Sequence, residues 1–139
     1  MRRFALLGVV VLGLAAAGCG ESDEEKAKAD VCDARADIQT NVRKLQDLTI
    51  GTVTADKVSA SLSAIEDDVT KIADAQGQLS DSQKRQVQKA NDEFAAKLKT
   101  LAGKLGKSVS LEEAAQQLKT DFDQLGDAYR QLLEPIDCG

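Results

Sequence analysis

The sequence predicts an all-α protein, an up-down-up-down antiparallel four-helix bundle, on three observations. Apolar residues recur at three- and four-residue intervals through four successive segments, which is the helical period. Connections of about four residues leave consecutive helices no course except antiparallel packing. In such an even-numbered bundle the chain starts and finishes at one end, and Cys32 and Cys138 stand near that start and that finish.

The first segment carries Val31, Ile38, Val42, Leu45 and Leu48 and closes at Gly51. The second carries Val58, Leu62, Ile65, Val69 and Ile72 and closes at Gly77. Thr54 offers its N-cap and Asp56 an acid for its first turn. The third opens on the capping-box pattern Ser80-Asp81-Ser82-Gln83 and runs through Val87, Ala90, Phe94, Leu98, Leu101 and Leu105. The fourth opens on a second such pattern, Ser110-Leu111-Glu112-Glu113, and continues through Leu118, Phe122, Leu125, Tyr129 and Leu132. Pro135, with no N–H to donate, then ends or kinks it. Charge suits the same order. Residues 81–110 carry seven bases and three acids, while the segments on either side are net acidic. Exposed pairs stabilise by only ~0–1 kcal/mol each, so the alternation selects neighbours more than it holds the fold.

Ahead of the bundle lies a leader with the three parts of an export signal. Met1-Arg2-Arg3 is positive, Phe4 to Ala17 is an uncharged run of 14 residues, and small residues precede Cys19. Leu14-Ala15-Ala16-Ala17-Gly18-Cys19 resembles the lipobox at which bacterial lipoproteins are lipidated on the cysteine and cut just before it. Ala16 stands where that motif usually has Leu, Val or Ile. An ordinary secretory signal, read from Ala15-Ala16-Ala17, is the alternative. A permanent span is not expected, since it needs ~20 apolar residues and acidic residues follow almost at once. The predicted organisation is thus a signal peptide over 1–18, a lipidated Cys19 with a charged, disordered tether over 19–29, whose last residues have the option of extending the first helix, and the bundle over 30–139. Two acyl chains on Cys19 would give the stable anchoring that one does not. The predicted location is extracytoplasmic, on the bacterial cell membrane.

With Cys19 assigned to lipid, Cys32 and Cys138 remain as an even pair in an oxidising compartment and are predicted to form a disulfide. A metal or redox pair fits less well, because there is no C-x-x-C spacing and no histidine to complete a zinc site. Without residues 1–18 the chain holds 16 bases and 23 acids, a net charge of −7 that opposes general nucleic-acid binding. Beyond the leader the aromatics are Phe94, Phe122 and Tyr129. The core must therefore be aliphatic, and stacking platforms for bases or sugars are lacking.

Few residues stand out as candidate sites. Arg85, Lys89, Lys99 and Lys107 lie opposite the Val87-Phe94-Leu101 stripe and are candidate contacts to an anionic surface such as lipid headgroups or wall polymers. A solvated face with inter-helix pairing is the competing reading. Asp121, Asp123 and Asp127 with Gly126 resemble a calcium loop only superficially. Counted from Asp121, Leu125 falls where an oxygen ligand belongs and Leu132 where the bidentate Glu belongs. Glu66-Asp67-Asp68 spreads around its helix and reads as surface charge. Gly126 costs ~1 kcal/mol inside a helix, either for a close crossing or by mere tolerance. Tyr129 falls on the core stripe and reads as packing. No G-x-S-x-G, metal-ligand cluster or Gly-rich phosphate loop is present, so no catalytic residue, metal or cofactor is expected.

Taken whole, the chain resembles the small, cysteine-bracketed helical lipoproteins and secreted proteins of bacteria, particularly high-GC Gram-positives. The resemblance rests on Arg2-Arg3, Ala16-Ala17-Gly18-Cys19, Cys32-Asp33-Ala34-Arg35 and Asp137-Cys138, and it implies no particular activity. The expected function is that of a non-enzymatic, membrane-anchored monomer that binds or scaffolds another envelope component, a protein or a polymer. A carrier of a small apolar ligand between the helices is the first alternative, and a freely secreted helical protein the second.

Overall fold

The structure, a computed structural model, describes residues 22–48, 52–105 and 111–139. Among them are four α-helices and no strand: α1 Asp23–Gln46, α2 Ala55–Ala75, α3 Asp81–Leu105 and α4 Leu111–Leu132. A short 3₁₀ turn, Gln76–Gln78, joins α2 to α3. The predicted signal segment, Cys19, Gly51, Lys107 and the predicted Ser110 cap lie outside the described residues.

The start of α1 corrects the predicted tether. Ser22 forms a complete capping box, its hydroxyl accepting from the Glu25 N–H at 3.2 Å while its own N–H donates to the Glu25 carboxylate at 3.3 Å. Asp23, Glu24 and Glu25 then sit at the positive end of the helix. Ala27, one turn on, is 3 % exposed and joins the core. Residues 23–29 are therefore helix rather than disordered spacer. Their charged composition would not order alone, but a cap and one buried alanine extend a helix already nucleated by packing.

The other ends follow the sequence more closely. Thr54 caps α2, its hydroxyl accepting from the Lys57 N–H at 3.2 Å. Ser80 precedes α3, and its carbonyl accepts the first helical bond, from the Lys84 N–H at 2.7 Å, but the predicted capping box is not complete, since the buried Gln83 Oε1 has no partner among the described residues. At the end of α4 the Leu133 and Glu134 N–H groups both donate to the Tyr129 carbonyl, and the ladder stops at Pro135.

The core is one continuous cluster drawn from all four helices, with Leu79, Leu133 and Ile136 from the segments between and after them. The predicted stripes are buried except at Leu48, Val69, Leu105 and Leu132, which are half-buried, and Leu111, whose side chain is outside the described set. The shift at Val69 has a reason. The buried face of α2 is Val58, Ser61, Leu62, Ile65, Asp68 and Ile72, so the helix is rotated toward the side that carries Ser61 and Asp68. Asp68, read from the sequence as surface charge, has a side chain only 5 % exposed and is neutralised by Lys71 at 2.8 Å.

α1 packs against α2 and α4, and α3 packs against the same two helices, so α1 and α3 lie across the bundle from one another. Along α1 and the end of the chain the register runs Cys32 to Cys138, Arg35 to Glu134 and Ile136, and Gln46 to Gly126. Gly126 admits the end of the Gln46 side chain: a Cβ there would stand 2.8 Å from the Gln46 Cδ. The glycine thus accommodates a side chain, not a bare crossing of backbones.

Among the described residues Asn91 is the polar one most deeply placed in the core, at 2 % exposure. Its Nδ2 donates to the Val69 carbonyl at 3.2 Å, while its Oδ1 has no partner among the described residues. An unsatisfied buried acceptor costs ~1–3 kcal/mol, and the Val69 carbonyl lies inside a helix that supplies it with another donor. Asn91→Leu should therefore raise the unfolding free energy by about 1 kcal/mol. Urea denaturation of the two proteins checks this, and a clear loss in the variant would show that the Oδ1 is satisfied in solution.

Candidate functional site

The most constructed part of the molecule is the end of the bundle where the chain closes on itself. Cys32 on α1 is joined to Cys138 with their Cα atoms 5.6 Å apart, across a sequence separation of 106 residues. One turn further along α1, Arg35 Nη1 donates to the carbonyls of Glu134 at 3.0 Å and Ile136 at 2.8 Å. The cation thereby supplies a donor to two carbonyls of the segment that follows α4, where no helical ladder serves them. Leu133 and Ile136, buried beneath, fix the same segment from the apolar side. Nothing in the spacing announced Arg35. The signal available was its position one turn beyond a cysteine that had to meet the chain's end.

Tyr129, 4 % exposed, packs in this region. Burial pushes its hydroxyl above the ordinary value near 10, and Glu134 adds to that while Arg35 and Arg43 work the other way. The Lys71 ammonium is likewise raised, chiefly by its hydrogen bond and charge pairing with Asp68. Both groups hold their protons more tightly in the fold than in the free chain. The stability they provide is complete below about pH 10 and is lost as the pH rises beyond it. Denaturant titrations should accordingly show a decline on the alkaline side, smaller in Tyr129→Phe; equal declines would remove Tyr129 from the account.

Arg85, Lys89 and Lys99 are all exposed on the outer face of α3, with Asp92 among them. Lys89 approaches Glu93 at 4.0 Å. Lys107, predicted with them, lies outside the described residues. The three aspartates of α4 do not converge. Asp121 is buried and pairs with Lys104 at 3.2 Å, Asp123 faces Lys119 at 3.8 Å, and Asp127 pairs with Arg130. Each carboxylate has its own cation, which is the opposite of a shared metal site. Among the described residues no group of three or more His, Cys, Asp or Glu side chains comes together as metal ligands.

Two open grooves run between α1 and α2. The one at the start of α1, about 590 Å³, is lined by Asp23, Asp30, Asp33, Asp37 and Asp74, against Lys26 and Lys71. The other, about 630 Å³, runs from Asn41, Lys44 and Leu48 to Lys57, Ser61 and Ala64. A smaller one, about 260 Å³, has Leu101 and Leu125 among Lys97, Lys104, Asp121 and Gln124. These are surface grooves with charged rims. Compared with known proteins, the chain matches no family model, no curated protein and no solved structure.

Proposed function

We propose that this protein is a non-catalytic envelope lipoprotein, exported by the leader over 1–18, held at the membrane by lipid on Cys19, and engaging another envelope component through the surface of its bundle. The observation that carries the reading is the Cys32–Cys138 disulfide. Such a bridge belongs to an oxidising compartment, as export predicts, and it leaves Cys19 as the cysteine over, placed where the lipobox resemblance needs it.

The arrangement we infer is up-down-up-down. It is supported by the opposed register of Cys32, Arg35 and Gln46 with Cys138, Glu134 and Gly126, and by the pair that Lys104, in the last turn of α3, makes with Asp121 midway along α4. The site-bearing surfaces are grooves with charged rims, while Phe94 and Phe122 are sealed in the core at 0 % and 2 % exposure. That favours recognition on the outside of the bundle over carriage of an apolar ligand within it.

Labelling cells with palmitate tests the anchor. Wild type should take up label and Cys19→Ser should not; an unlabelled wild type overturns it. Crosslinking in cells followed by mass spectrometry tests the engagement, which requires a specific neighbour captured with wild type and lost when the bundle surface is altered.

A further inference from the structure

We propose that lipid on Cys19 fixes an order of reactions. S-alkylation of Cys19 must come before oxidation of the other two cysteines, because its free thiol captures Cys32 ahead of Cys138. This rests on the lipoprotein reading above. Its starting point is the spacing of the three thiols. Cys19 lies 13 positions before Cys32, whereas the native partner lies 106 positions after it.

In a chain not yet folded, the chance that two residues meet falls as about the three-halves power of the loop they close. Cys19 therefore meets Cys32 roughly 20 times as often as Cys138 does. Export from the N-terminal end widens the margin, since Cys19 and Cys32 cross the membrane close together and Cys138 follows far behind. Folding reverses the preference. The Cα atoms of Cys32 and Cys138 then stand 5.6 Å apart, within the reach of a bridge. Arg35 holds the segment that carries Cys138 through the carbonyls of Glu134 and Ile136. The competition is thus confined to the interval between export and folding. That interval is prolonged by topology, because the contact that favours the native pair joins the first helix to the end of the last. Contacts so distant in sequence are among the slowest to form.

In the lipidation step the Cys19 thiolate forms a C–S bond to the glyceryl carbon of a diacyl phospholipid. The bond from that carbon to the headgroup phosphate oxygen breaks, the phosphate leaves with the electron pair, and the thiol proton goes to water. The resulting thioether has no S–H and enters no disulfide. Bridging then takes two protons and two electrons from Cys32 and Cys138 and passes them to an exported protein disulfide, which becomes a dithiol. With Cys19 free, the same oxidant makes Cys19–Cys32 and leaves Cys138 a thiol. The way back is exchange, in which the Cys138 thiolate attacks the Cys32 sulfur and Cys19 leaves as a thiolate. It opens only when folding brings Cys138 to Cys32, and the chain must reach that fold without its covalent ring.

The test is a pulse-chase in cells, with thiols trapped by acid and alkylation and bridges mapped by mass spectrometry. Wild type is compared with a chain whose residues 1–18 are exchanged for a secretory signal without a lipobox, and with that exchanged chain carrying Cys19→Ser. Wild type and the Cys19→Ser chain should go directly to Cys32–Cys138. The exchanged chain with its free Cys19 should pass through Cys19–Cys32, in excess over the native bridge by about 20-fold at the earliest times, and reach the native bridge late. Absence of Cys19–Cys32 from that chain, or native bridging as fast as in Cys19→Ser, overturns the order of reactions; an acylated wild type in the same experiment leaves the anchor standing. A wild type whose mass lacks acyl groups overturns the anchor and this order with it.

Discussion

Replacing both Cys32 and Cys138 with serine should lower the unfolding free energy by several kcal/mol, the largest effect expected of any change that leaves the core intact. The bridge closes a loop of 106 residues in sequence, and restricting the unfolded chain over that length is worth up to roughly 4.7 kcal/mol, with ~2–5 kcal/mol typical when a native bridge is removed. The folded state should lose little. Arg35 still holds the carbonyls of Glu134 and Ile136, and Leu133 and Ile136 remain buried, so the terminal segment keeps its place without the covalent link. The destabilisation should thus appear in urea titrations of the intact fold, with the midpoint moved and the far-ultraviolet helical signal in buffer unchanged. A shift of less than ~1 kcal/mol would mean that the constraint on the unfolded chain is not being felt. Loss of helix in buffer would mean that the bridge positions the segment directly.

Phe94→Ala should cost ~3–5 kcal/mol. Phe94 is the largest side chain of α3's buried face and is 0 % exposed. Aromatics are scarce here, and the other core positions on α3 are Val87, Ala90, Asn91, Leu98 and Leu101, none large enough to move into the space. The removed ring leaves a cavity on top of the lost burial, and both terms act in one direction. Phe94→Leu, which returns most of the volume, should recover most of the loss. Thermal or urea unfolding of the pair checks this. Equal stabilities for Phe94→Ala and wild type would show that the bundle collapses around the gap.

The helices and the main core could be read from the sequence because period and caps agree there. Thr54 caps α2 where its side chain and the following Asp56 placed it, and Phe94, Phe122 and Tyr129 fall inside as their spacing required. Two misreadings share a physical cause, namely that composition was taken in place of geometry. Residues 23–29 lack large apolar side chains, yet Ala27 is enough to seat a helix when a capping box starts it. Asp68 is charged, yet one turn from Ile65 it follows the buried face and takes Lys71 as its counter-ion. Ala34 and Ala128 are core positions outside the stripes of larger apolar residues. Arg35 belongs to another class. Its two carbonyl partners lie 99 and 101 residues away, a relation that no local pattern carries.

The bridge divides α1 into unequal parts under load. Residues 32–138 lie within the covalent ring, and the helix from Asp23 to Val31 lies outside it. A force applied at the N-terminal end meets those nine residues first. They are held by hydrogen bonds and by the burial of Ala27 and Val31, and can unwind from ~1.5 to ~3.4 Å per residue, paying out about 17 Å of slack. At Cys32 the pull passes through sulfur to the far end of the chain and is shared between α1 and α4 at once. The first turns of α1 act as a short extensible leader, and the ring behind them takes the strain as one body.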